Sequence, residues 1–286
     1  GKSESALNNT LLQHYKFRVY LKDKGQNDYS IDNPTQFLSE KAIERKILQN
    51  SRIDETDFPI CTDYINLVKK AGGNIISHSK WFNTLVVEVN DSLKINDINS
   101  LSFVDSVKYV WRGAAGNYKK TLRPRLKQNI TCRAEIIDSI YGFSSEQFKF
   151  HNADKLYECG FRGKGINIGV IDAGFTNYDV IPAFENVNLL GYENLVPEGD
   201  LFSTSDHGTK VLSTMAVNLP GMMIGSAPEA SYYLLRSEDV TSEFPVEEDY
   251  WVRAIEYADS VGLGGRRTTQ EYNEFDDKYL NYSHED

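Results

Sequence analysis

Residues 166–171 (INIGVI) form a nearly continuous apolar run, opened by Gly165 and closed by Asp172. Six residues are too few for a buried helix and suit a strand. A strand that lacks polar alternation has both faces covered, the condition of a parallel sheet flanked by helices. The surrounding chain agrees. A helix is expected over 151–159, ended by Gly160, and another after His207 over 210–217. A second apolar strand follows near 230–236 (ASYYLLR), then a helix near 246–261. Strand–helix–strand–helix order implies an α/β fold with a doubly wound parallel sheet.

The stretch 14–112 has the pattern of a smaller α/β domain. Phe17, Val19 and Leu21 alternate with Arg18, Tyr20 and Lys22, which is the period of a half-buried strand. Residues 36–49 place Phe37, Leu38, Ala42, Ile43 and Ile47 near one helical face, with Thr35 as the N-cap. A helix over 62–71 ends at Gly72 and Gly73. Strands over 74–79 and 84–89 (TLVVEV) flank a turn at 80–83, a helix spans 92–102, and a strand over 104–111 closes the unit. Residues 1–13 read as a loose polar leader. Residues 113–147 read as a linker, in which Lys119, Lys120, Arg123, Arg125 and Lys127 cluster and Gly113, Gly116 and Pro124 break regular structure. Such a segment is a solvated connector or a site of processing. The second domain spans 148–286.

Composition excludes some functions. A hydrophobic content of 40% supports a sizeable core, and a net charge of -10 argues against a nucleic-acid partner. No apolar run approaches the about 20 residues of a membrane helix. Cys61, Cys132 and Cys159 form neither a Cys-x-x-Cys pair nor a zinc spacing; an odd count gives no disulfide framework, which leaves three packed thiols, or one disulfide, as the expected states. Gly1 in place of an initiator Met fits a removed leader or an expression boundary.

Two residues stand out chemically. Asp172 lies at the carboxyl end of the apolar strand, where open α/β sheets build their sites. His207 opens a helical run within Asp206-His207-Gly208-Thr209. Taken singly, each reads as a turn, cap or surface residue. Taken together, Gly169-Val170-Ile171-Asp172-Ala173-Gly174 followed by His207-Gly208-Thr209 resembles the first two signature motifs of the subtilisin-like serine proteases. Their order, Asp before His, is the subtilisin order. The lead-in Gly160-Phe161-Arg162-Gly163-Lys164-Gly165 and the later Gly225-Ser226-Ala227-Pro228 resemble the same family. The resemblance covers about 148–262 and extends to 15–112 as a propeptide.

The resemblance implies a serine endopeptidase acting on protein or peptide substrates. His207 would be the general base and Asp172 the group that orients it. The N-terminal unit would be an intramolecular propeptide, and the protein would be secreted or held at the cell envelope. No cofactor is implied. Calcium is common in the family, but no calcium ligand can be assigned here. The family's nucleophile stands in a Gly-Thr-Ser segment far beyond the His. Ser213, Ser226, Ser231, Ser237, Ser242, Ser260 and Ser283 all lack that context, so a chain truncated before its nucleophile, and inactive alone, is expected. Residues 263–271 (LGGRRTTQE) replace the family's apolar strand ending in Asn-x-Ser-Leu-Gly, while 272–286 is family-like again. That pattern points to a compensated reading-frame error, the alternative being a true loop insertion.

Three rivals remain on the residues alone. A non-catalytic relic, or a propeptide-type protease-binding and inhibitory module, fits the missing serine. A dinucleotide site is disfavoured because Gly163 and Gly165 precede the strand instead of following it. A metal hydrolase built on Asp172, Asp206 and His207 lacks a ligand spacing.

Overall fold

The computed structural model describes residues 13–114 and 140–262. The expected leader, the basic cluster of the linker and the anomalous run 263–271 lie outside the described residues, apart from Gln13 and the linker's two ends.

The N-terminal unit contains β1 (Gln13–Leu21), α1 (Glu40–Leu48), α2 (Thr62–Lys70), β2 (Asn74–Ser79), β3 (Thr84–Val89), α3 (Ile95–Asn99) and β4 (Val104–Ala114). The strands form one sheet in the order β2-β3-β1-β4, with each pair antiparallel. Phe17 lies opposite Val87 and Val19 opposite Leu85. These residues pack with Val68 of α2 and Ile98 of α3 into one apolar core. Gly72, at a φ of 94°, ends α2 in the left-handed conformation that glycine adopts without strain.

Two expectations for this unit need correction. The first helix starts at Glu40 with Ser39 as its cap, the Ser39 hydroxyl accepting from the Ala42 N–H, so Thr35 is not the cap. The expected apolar face is met only in part: Leu38 and Ala42 are buried, but Ile47 is 70% exposed and Arg45 and Lys46 are buried in its place. β1 differs in the same sense. It was expected to be half-buried, yet Lys16 is 0% exposed and Arg18 is 5% exposed. The cause lies in the other half of the chain, which covers the second face of this sheet.

The C-terminal unit contains α4 (Ser145–Phe150), α5 (Ala153–Glu158), β5 (Asn167–Asp172), β6 (Asn188–Asn194), α6 (His207–Ala216), the short hairpin β7 (Asn218–Leu219) and β8 (Met223–Ile224), β9 (Ser231–Arg236) and α7 (Val246–Ser260). The helix expected over 151–159 is α5, and Asn152, whose φ is 54°, separates it from the preceding α4. β5, β9 and β6 form a parallel sheet with β9 at its centre. Val170 and Leu234 pack with Leu212 and Ala216 of α6. Ile171 and Leu235 pack with Ala254 and Ala258 of α7. Successive strand residues thus face different helices, one on each side of the sheet. The chain is an α/β protein, as its apolar runs imply.

The two units meet along α7. Val86, Val110 and Trp111 pack with Val196, Val246 and Tyr250. Around this apolar patch each described ion pair that crosses between the units joins a cation of the N-terminal unit to an anion of the C-terminal unit. Lys16 Nζ lies 2.5 Å from Glu198 and 3.9 Å above the Trp111 ring. Arg18 grips Asp249 through Nε at 2.7 Å and Nη2 at 2.8 Å. Arg45 pairs with Asp259. The Glu256 carboxylate accepts from Ser79 Oγ at 2.5 Å and from the backbone N–H groups of Lys80 and Trp81 at 3.1 Å each. Buried charges are costly unless paired, so this pattern fixes the docking register more than it adds net stability.

His78 lies on β2, in register with Leu85 of β3. Burial, then the charges of Arg253 and Lys80, lowers its pKa from 6.5 to about 4. Below pH 6.5 the unfolded chain therefore binds a proton that the folded chain refuses. The stability that His78 contributes is present above pH 6.5 and is lost as pH falls towards 4, by up to about 3 kcal/mol. Burial raises the pKa of Glu256 and of Asp249, which works in the opposite direction. The check is therefore a difference: urea unfolding of wild type and His78→Gln at pH 7 and pH 4.5. Wild type is expected to lose more stability than the variant between the two, and equal losses would refute the assignment.

Candidate active site

Asp172 is the last residue of β5 and is 6% exposed. Its backbone carbonyl accepts from the Ser237 N–H at 3.1 Å, which ties the exit of β5 to the exit of β9. Its Oδ1 accepts from the Ala173 N–H at 2.7 Å. The carboxylate is therefore held before any second side chain reaches it.

His207 is the first residue of α6. Its Nδ1 lies 3.1 Å from Asp172 Oδ1 and 2.9 Å from Oδ2. A carboxylate oxygen accepts, so Nδ1 is the ring nitrogen that donates to Asp172, and Nε2 is the one left to face outward. The His207 side chain is 70% exposed against 8% for Asp172. The result is an open imidazole steered from behind by a buried carboxylate.

The approach depends on Gly208. Its N–H donates to the Gly174 carbonyl at 3.0 Å. A Cβ on Gly208 would stand 2.6 Å from that oxygen and 2.9 Å from Asp172 Cβ. Only a residue without a side chain lets α6 start this close to the β5 exit. Thr209, next in the helix, donates from Oγ1 to the Thr176 carbonyl at 2.9 Å and holds the same two segments together.

The structure thus brings together the two residues singled out by their motifs. Asp206 does not join them: it precedes α6 and pairs with Lys210 on the surface. Among the described residues no group of three or more His, Cys, Asp or Glu stands together at a metal-binding spacing. Sequence reasoning missed Arg236. It closes an apolar strand with a charge, is 0% exposed, and pairs in register with Asp172. A lone Arg at the carboxyl end of a buried strand is the signal that could have found it.

The family described as Peptidase S8 propeptide domain, Bacteroidota, matches residues 16–128. No curated protein matches the chain. Among solved structures, the epidermin leader peptide processing serine protease EpiP of Staphylococcus aureus is 14% identical at a TM-score of 0.47. That match covers 86% of this chain and 47% of that one. Fervidolysin from Fervidobacterium pennivorans, a keratinolytic enzyme related to subtilisin, is 16% identical at a TM-score of 0.43. It covers 88% of this chain and 35% of its own. MycP1 from Mycobacterium smegmatis is 20% identical at a TM-score of 0.28, covering 50% of this chain and 36% of that one. The chain spans half or less of the length of each of these structures. Residues 16–128 are thus similar to the propeptide domain of the S8, or subtilisin-like, peptidases.

Proposed function

We propose that the chain is the N-terminal part of a subtilisin-type serine endopeptidase, with its own propeptide docked on it. The observation that carries this reading is the His207 ring, oriented through Nδ1 by buried Asp172 and otherwise open. A serine hydroxyl needs a base to become a nucleophile. His207 would take that proton at Nε2 and later pass it to the leaving amine. Asp172 would hold the tautomer and stabilise the imidazolium. The nucleophile would come from residues other than those described. Residues 13–114 would act as intramolecular propeptide, the substrate would be a protein or peptide, and the compartment would be extracellular or the cell envelope.

A second reading has its own support. The matched family is that of the propeptide alone, which favours a protease-binding or inhibitory module. The experiment that separates the two is to read the coding DNA through and past codon 286 and assay the complete product on casein. A Gly-Thr-Ser segment, with hydrolysis lost in His207→Ala, is expected. A stop codon after Asp286, with no hydrolysis, would move the assignment to the binding module.

A further inference from the structure

We infer that Arg236 is a positioning residue for Asp172, an inference that rests on the reading of Asp172 and His207 as base and orienter. The guanidinium is wholly buried, yet it hydrogen-bonds no carboxylate among the described residues. Its Nε donates to the Ala173 carbonyl at 3.0 Å, one residue beyond Asp172. Its Nη1 donates to Asn194 Oδ1 at 3.2 Å and to the carbonyls of Val196 at 3.3 Å and Glu198 at 2.7 Å. Its Nη2 has no hydrogen-bond partner among the described residues.

A buried cation without a bonded anion is a poor stabilising device. Its geometry accounts for its presence. The side chain leaves the centre strand β9 and grips the exit of β5 with one edge and the exit of β6 with the other. The backbone repeats the stitch: Leu195 N–H donates to the Arg236 carbonyl at 2.9 Å, and Ser237 N–H to the Asp172 carbonyl at 3.1 Å. The guanidinium is planar and rigid, so it fixes Ala173 relative to the segment that leaves β6 in a way that a flexible ammonium cannot. Ala173 in turn supplies the N–H that sets Asp172 Oδ1.

The test needs no nucleophile. The whole chain is labelled with 15N-histidine, and the His207 Nδ1 proton is followed by NMR, with His207→Gln to assign it. Wild type is expected to show this proton at low field and in slow exchange with water. Arg236→Lys keeps the charge but cannot reach both exits, and is expected to speed the exchange of that proton about tenfold or more. Tyr233→Ala weakens the same strand on its α7 side, where the ring packs against Tyr257, away from α6 and Ala173, and is expected to leave the proton unchanged. Asn194→Ala removes one anchor of the guanidinium and is expected to act like Arg236→Lys, more weakly; it decides the matter if Arg236→Lys does not fold. Unchanged exchange in the Arg236 and Asn194 variants, or an equal change in Tyr233→Ala, would overturn the role of Arg236. Absence of the proton from wild type would instead strike at the pairing of Asp172 with His207 on which the proposed function stands.

Discussion

Glu256→Ala is expected to lower the unfolding free energy by about 3–5 kcal/mol, the range for removing one member of a buried charged group. The carboxylate accepts three hydrogen bonds, from Ser79 Oγ and from the N–H groups of Lys80 and Trp81. It is itself fully buried. Alanine would leave those donors without water or partner, and would open a hole between α7 and the β2–β3 turn. Glu256→Gln keeps the volume but turns one acceptor into a donor facing backbone N–H groups. It is expected to cost less, about 1–3 kcal/mol. Urea unfolding followed by tryptophan fluorescence suits the question. Trp81 lies in the turn that Glu256 holds, Trp111 in the cluster shared by the two units, and Trp251 on α7. A Glu256→Ala variant within 1 kcal/mol of wild type would show that this carboxylate does not hold the units together.

Asp172→Asn in the complete product is expected to lower kcat about 10⁴-fold with little change in KM. The reason lies in the Ala173 N–H, which requires an acceptor at the Oδ1 position. The amide oxygen would take that place. The amide nitrogen would then stand where Oδ2 now lies 2.9 Å from His207 Nδ1. Two donors cannot face each other, so the imidazole would shift its proton to Nε2. A proton there blocks the nitrogen that must receive the serine proton. The ring would stay in place with the wrong tautomer, which is why binding survives and turnover does not. Casein hydrolysis within tenfold of wild type would remove Asp172 from the mechanism.

The parts legible in the sequence were those with local causes. The run 166–171 is too short for a buried helix and forms a strand, and β5 ends at the expected Asp172. His207 and Asp172 were found because the glycines beside them permit their approach and leave a readable motif. What was missed has distant causes. Lys16, Arg18 and Arg45 look like solvent-facing residues, and their acidic partners lie 182, 231 and 214 positions away. No local window contains such a pair, so nothing in the sequence of α1 tells that Arg45 and Lys46 are buried beside Ala42. β6 escaped for a similar reason. Its sequence NLLGYEN has little strand character and becomes a strand by pairing with β9.

The one-sided charge of the interface also governs what happens if the two units part. Losing the N-terminal unit would strip Lys16, Arg18 and Arg45 from Glu198, Glu248, Asp249 and Asp259. The remaining body would carry a bare anionic face on a chain that is already acidic. Like bodies would repel one another through that face, while the departed unit, bearing the matching cations, would be drawn back. Its return would be quick in dilute buffer and slow in brine, because the attraction that steers it is one that mobile ions screen.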